Sequence, residues 1–319
     1  MRIYVGVTDQ DWFDQLRSWP QIEEVNFWQP SPNAEFRALG KGDLFLFKLH
    51  RSARTQNRDL IAGGGVFVSY SVLPIRLAWE AFEHRNGART LSEMRRRLLL
   101  YRRIRDDLHE DFQVGCIVLT QPFFFDESSW FPAPEWSASI VRGKAKGYEI
   151  DKDAGQFIWR NIQRGWQIQR IHDLEGEARR IEEERARYGS ETTIKPRLGQ
   201  GAFRVLVTDA YQRACAISGE HSLPALEAAH IKPYNDNGPH DINNGLLLRS
   251  DLHRLFDHGY ITITPGYRIE VSRRLKEEFE NGRSYYPFNG QRLDHLPRRE
   301  TDRPQESLLA WHNENVFKG

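Results

Sequence analysis

Three consecutive segments decide the fold: Leu226-Glu227-Ala228-Ala229-His230-Ile231-Lys232-Pro233, then Asn243-Asn244-Gly245-Leu246-Leu247-Leu248, then Ser250-Asp251-Leu252-His253-Arg254-Leu255-Phe256-Asp257. The apolar runs 226–231 and 245–248 are short and bounded by turn residues, the pattern of strands. Residues 251–258 read as a helix, with Ser250 placed to cap it and Gly259 to end it. The order is strand, loop, strand, helix. His230 closes the first strand, Asn244 opens the second, and His253 lies on the helix. His253 and Asp257 are four residues apart, so they share a helix face and could grip one cation.

These residue types suit hydrolysis of a phosphodiester. Neutral imidazole can take a proton from water near neutral pH. A divalent cation offsets charge on the scissile phosphate and the departing oxygen. An Asn side chain, with donor and acceptor atoms together, can hold the loop that bears the base. The strings LEAAHIKPY and NNGLLLRSDLHRLFDHGY resemble the HNH nucleases, over roughly residues 202–263. The resemblance implies a ββα-metal fold with His230 as general base, Asn244 as loop-orienting residue and His253 as metal ligand. It further implies DNA as substrate, a Mg²⁺ or Mn²⁺ ion, and cleavage to 5′-phosphate and 3′-hydroxyl ends.

Two features depart from that family. Relatives often place an Asp or His ligand directly before the base, where this chain has Ala229. Asp257 is the expected replacement, and Glu227, on the same strand face as Ala229, is the second choice; Asp257 could instead pair with Arg254. Relatives also often hold a zinc ion with two CxxC pairs. Here Cys215-Ala216-Ile217-Ser218 ends in Ser with no partner pair after it, so no structural zinc is expected. His221, His240 and His295 are assigned no role, although His240 falls in the loop near the site.

The first half of the chain reads as mostly strand, with runs at 2–7, 44–49, 65–70 and 115–119. One helix begins near Pro74 and continues through Trp79 and Phe82. Another opens with a Thr90/Glu93 capping box and carries Met94, Leu98, Tyr101 and Leu108 at helical spacing. Its other face bears Arg95, Arg96, Arg97, Arg102, Arg103 and Arg105, read as a solvated face, with phosphate contact as the minority reading.

Asn26-Phe27-Trp28-Gln29-Pro30-Ser31, the run 42–49, Ile61-Ala62-Gly63-Gly64-Gly65-Val66-Phe67 and the aromatic stretch 123–136 resemble, in scattered segments, the EVE domains. These are PUA-like β-barrels that hold a modified base in an aromatic pocket. An EVE domain ahead of an HNH domain resembles the modification-dependent restriction endonucleases, which implies 5-methylcytosine or 5-hydroxymethylcytosine in double-stranded DNA as target. A flipped base needs stacking faces, each worth about 1–3 kcal/mol. One extra methyl adds only about 1–3 kcal/mol of discrimination. The pocket candidates are Trp28, Ser31, Asn33, Phe67 and Trp130, with Asn26 as polar partner; Phe45 and Phe47 are assigned to the core. The Gly63–Gly65 triplet would let backbone approach a base or phosphate.

Composition bounds these readings. Lys and Arg total 45 against 44 Asp and Glu, a net charge of +1, which excludes binding to nucleic acid by bulk charge. Hydrophobic residues at 39% supply real cores. No apolar run approaches a membrane span or a signal peptide, and Cys116 and Cys215 lie far apart, so a cytoplasmic enzyme is expected. The expected α+β architecture is a PUA-like reader at 1–165, a charged helical linker at 166–200 and an HNH domain at 201–319, with a homodimer favoured. The alternatives are a non-cutting reader of modified DNA, and a nuclease whose barrel reads another modification or RNA.

Overall fold

Runs of Val, Ile and Phe in the first half of the chain become one mixed seven-stranded sheet. The computed structural model describes residues 1–19, 22–32, 35–50, 60–102, 111–136, 145–174, 199–233, 236–280, 282–293 and 295–319. The chain divides into two units, Met1–Arg197 and Leu198–Gly319.

In the first unit the elements run β1 (Arg2–Thr8), α1 (Gln10–Arg17), β2 (Glu24–Gln29), β3 (Leu44–Leu49) and β4 (Leu60–Pro74). They continue α2 (Ile75–Phe82), α3 (Leu91–Arg102), β5 (Gln113–Phe124), β6 (Phe131–Pro132), β7 (Lys146–Glu149) and α4 (Asp153–Leu174). The strand order is β2-β5-β4-β3-β1-β7, with β6 on β4. β1 and β3 run parallel, Ile3 opposite Leu44, and the other pairs are antiparallel. β3, Leu-Phe-Leu-Phe-Lys-Leu, is buried at every position, as a continuous apolar run inside a sheet should be. Among the described residues the end strands β2 and β7 do not pair, so no closed barrel forms.

Several local expectations meet their physical test here. Gly63, Gly64 and Gly65 lie inside β4, and a Cβ on Gly63 would come 2.3 Å from the Phe123 carbonyl oxygen. One on Gly64 would meet Phe45 O at 2.7 Å. The room left by these glycines is taken by neighbouring strands, not offered to a base or phosphate. The Thr90 half of the capping box forms, with Glu93 N–H donating to Thr90 Oγ1 at 3.1 Å, while the Glu93 carboxylate accepts from Arg89 N–H, one residue before the cap, at 2.9 Å. Of the arginine face, Arg95 is buried and Arg97 donates to Gly87 O at 2.8 Å, while Arg103 and Arg105, like Leu108, lie outside the described residues. α4 continues through residue 165 without a break, and the charge-dense stretch 175–198 lies outside the described residues.

The second unit contains α5 (Gln200–Ala210), β8 (Leu226–His230), β9 (Gly245–Arg249), α6 (Ser250–Asp257), β10 (Ile261–Ile263), β11 (Ile269–Val271), α7 (Arg274–Phe279) and α8 (Glu306–Asn315). β8 and β9 form an antiparallel hairpin with His230 opposite Gly245 and Glu227 opposite Leu248. Phe203 and Val207 of α5 join Leu246, Leu248, Leu252 and Phe256 in one core, which fixes α5 and α6 against the hairpin. Ser250 does not cap α6. The N-cap position falls on Arg249, whose guanidinium clasps Asp251 at 2.6 and 2.7 Å. Gly259 does end the helix: its φ of +73° is left-handed, and a Cβ there would lie 2.0 Å from Val316 O. Among the described residues no helix is long and apolar enough to cross a membrane.

Candidate active site

The loop between β8 and β9 is tied down from its far end. Asn244 is fully buried, and its Oδ1 accepts from Lys232 N–H at 2.9 Å. Its Nδ2 donates to Lys232 O at 2.9 Å and to Pro239 O at 2.7 Å. Ile231 N–H also donates to the Asn244 carbonyl at 2.9 Å. One amide therefore clamps both ends of the segment that follows His230, with every side-chain bond made inside protein, where a lost partner costs most.

His230 stands at the end of β8 with its ring flat against Phe203 of α5, centroids 3.8 Å apart and planes 8° apart. His240 meets its edge at 5.3 Å and 85°. His230 Nε2 is enclosed and, among the described residues, has no hydrogen-bond partner. Burial holds the imidazole well below its ordinary range, down to about 4, and the charges of His240 and His253 push the same way. At neutral pH the ring is uncharged, the form that can accept a proton.

His253 projects from α6 between two carboxylates. Its Nδ1 lies 2.6 Å from Glu227 Oε2 and its Nε2 lies 3.2 Å from Asp257 Oδ2. To ligate a metal the imidazole must be neutral, with a single N–H, which the shorter contact would take. Nε2 and Asp257 Oδ2 then face each other as two lone-pair donors. Burial pushes the Asp257 carboxyl up, the charges of His253 and His258 pull it down, and Glu227 adds to the rise. The donor chemistry, one imidazole with a carboxylate, suits a hard or borderline divalent ion. Among the described residues, no three His, Cys, Asp or Glu side chains surround one point. Glu227 and Asp257 stand at opposite ring nitrogens, so the two are not interchangeable partners of His253.

The buried Cys215 serves the frame. Its Sγ accepts from Ser218 N–H and Arg249 N–H, each at 3.4 Å, which ties the turn to β9. Phe203 and His240 are site neighbours that pattern reading missed. Phe203 is an apolar residue with no chemical signature in sequence, and His240 lies ten residues beyond His230, a separation that encodes no contact.

In the first unit an open cavity of about 900 Å³ is walled by Tyr4, Phe27, Trp28, Ser31, His50 and Tyr101, among others. Trp28 and Ser31 reach it as expected, although Trp28 is 7% exposed and donates its Nε1–H to Asn86 O at 2.8 Å. Three other pocket candidates are not among its walls. Asn26 is fully buried, donating to Asn86 Oδ1 at 2.9 Å. Trp130 packs its edge on Phe13 at 5.8 Å and donates to Phe125 O at 2.9 Å. Phe67 is buried beside Phe36 at 5.5 Å. Phe67 lies within β4, Asn26 within β2 on the same face as Trp28, and Trp130 just before β6, and each is covered by neighbouring residues. Phe45, assigned to the core, is fully buried yet contributes to the cavity wall. Asn33 lies outside the described residues.

Residues 215–264, which hold the clamp, His230 and His253, match a family model described as HNH endonuclease. The second unit carries an HNH endonuclease domain. No curated protein matches the sequence. A solved structure titled "Modification dependent TagI restriction endonuclease" aligns at 11% identity with a TM-score of 0.30, over 86% of this chain and 62% of that one. The chain thus spans less than two thirds of that protein's length.

Proposed function

We propose that this HNH enzyme cuts double-stranded DNA carrying 5-methylcytosine or 5-hydroxymethylcytosine, with the modified base flipped into the first unit. The observation that carries the nuclease chemistry is the pairing of a neutral, enclosed His230 with the Asn244 clamp that holds its loop. His230 takes the proton from the attacking water, and Asn244 fixes the loop. His253 Nε2 and Asp257 would hold the divalent ion, Mg²⁺ or Mn²⁺, which when bound offsets charge on the phosphate and the leaving oxygen. Glu227 holds the His253 ring from its Nδ1 side, the usual supporting role of a carboxylate behind a ligating histidine.

The cavity supports the reading of modified bases. Its aromatic walls supply stacking faces, while Ser31, Asp9 and His50 supply polar atoms. The finer likeness of this unit to a PUA-like EVE domain belongs to the same proposal, with residues 1–165 as reader, 166–200 as linker and 201–319 as nuclease. One such site cuts one strand, so double-strand cleavage calls for two copies, and a homodimer in the cytoplasm is the form we favour.

Matched methylated, hydroxymethylated and unmodified duplexes, incubated with Mn²⁺, test the proposal. Modified DNA should be cut preferentially, and Trp28→Ala should lower that preference about tenfold while leaving the nicking step intact. Equal cutting of all three removes the reader claim. The fully buried Ala229, standing where relatives often have a ligand, favours one second reading, a binder that does not cut. Absence of nicking with any divalent metal would select it.

A further inference from the structure

We propose that Phe203 and His240 form a two-ring cage that aims the His230 imidazole, making both of them positioning residues of the nuclease site. This rests on the reading of His230 as the base. An imidazole on a strand end can swing about two side-chain torsions. Its orientation is commonly fixed by a hydrogen bond from the ring nitrogen that faces away from the reaction. Here, among the described residues, the enclosed Nε2 makes no such bond. The ring is defined instead by contact: Phe203 covers one face at 3.8 Å and 8°, which sets its plane, and His240 abuts the edge at 5.3 Å and 85°, which limits rotation within that plane.

Each wall of the cage has its own support. Phe203 is 2% exposed, in the first turn of α5, with its N–H donated to Gly199 O at 2.9 Å. Gly245, cross-strand partner of His230, makes the approach possible. A Cβ there would lie 2.4 Å from Val207 Cγ2 and 3.1 Å from Phe203 Cζ, so any larger residue would displace the helix that carries the stacking ring. His240 is delivered by the clamp, because Asn244 Nδ2 holds the carbonyl of the preceding Pro239 at 2.7 Å. The loop-orienting amide therefore acts on the base partly through a second imidazole.

The test compares Phe203→Leu, His240→Ala and His240→Phe in the full chain, by single-turnover nicking with Mn²⁺ and by NMR of the His230 ring. Phe203→Leu keeps apolar volume but removes the stacking face. Its nicking rate should fall about 10–100-fold, the scale of an ångström of misplacement, with DNA affinity within twofold of wild type. The His230 Hε1 signal, held upfield by the Phe203 ring current, should move downfield. His240→Ala should slow nicking less, and His240→Phe, which restores an edge without a titratable group, should recover most of the rate. A purely structural role for Phe203 would lower stability and leave the rate per folded molecule unchanged. Nicking by both Phe203→Leu and His240→Ala within twofold of wild type overturns the cage. If Phe203→Leu does not fold, the His240 pair decides. If wild type itself never nicks, the base reading fails, and the Hε1 shift in these variants still decides whether the rings hold His230.

Discussion

Two histidines of the HNH unit rest on phenylalanine rings in nearly the same way. His230 lies on Phe203 at 3.8 Å and 8°, and His312 lies on Phe256 at 3.8 Å and 11°. Burial holds both down to about 4. They part at their nitrogens. His312 Nε2–H donates to Phe256 O at 3.1 Å and its Nδ1 accepts from the Thr262 hydroxyl at 2.8 Å, which joins α8 to α6 and β10. Among the described residues, His230 Nε2 has no hydrogen-bond partner. A buried imidazole with both nitrogens engaged belongs to the frame; one left short of a partner at a strand end is a group kept for chemistry.

The comparison breaks most sharply at His230. His230→Ala should lower single-turnover cleavage by about 10³-fold while leaving thermal stability near wild type, read by nicking and melting on the same preparation. Asn244→Ala should come next. It removes three side-chain bonds and frees the loop, so cleavage should fall about 100-fold, with stability lowered by about 2–3 kcal/mol in urea titration. His312→Ala should do the opposite of His230→Ala: cleavage per folded molecule stays within twofold, and urea unfolding loses about 2–4 kcal/mol as a buried ring is removed and Thr262 and the Phe256 carbonyl each lose one of their partners. If His312→Ala abolished cutting in the folded state, the contrast between the two rings would fail.

The smallest effect is in pH dependence. The His312 pKa is depressed in the folded chain, so the unfolded chain takes up the proton first as pH falls. The stabilisation is complete above about pH 6.5, the ordinary histidine value, and is lost progressively down towards about 4. Melting temperature measured from pH 7 to pH 4.5 should therefore fall less steeply in His312→Gln than in wild type. An unchanged slope would mean that His312 does not titrate with unfolding.

The hairpin and its helix were legible because two short apolar runs and one helical face stand in order, with His230, Asn244 and His253 at element ends. The part of Asn244 was legible for a chemical reason, since only a side chain with donor and acceptor atoms can bind one backbone segment both ways. α1 went unread although its signals were present: Asp9 accepts from Trp12 N–H at 2.7 Å, and Trp12, Phe13 and Leu16 form its buried face. The cap at Ser250 failed because the helix begins one residue earlier, with Ser250 already helical and Arg249 at the cap position. Which aromatics face the cavity was not legible at all. Trp28 and Trp130 look alike in sequence, and only the neighbouring elements decide which of them meets open space. The approach of His240 to His230 depends likewise on a loop path that no local pattern encodes.

The central claim is that His230 supplies chemistry and not affinity. It is tested most directly by measuring binding and cutting together for wild type and His230→Ala on one methylated duplex, with fluorescence anisotropy in Ca²⁺ and single-turnover cleavage in Mn²⁺. The account predicts equal dissociation constants within about twofold and cleavage lost by about 10³-fold. Cleavage by His230→Ala at the wild-type rate, or a loss of cutting fully matched by a loss of binding, would contradict it.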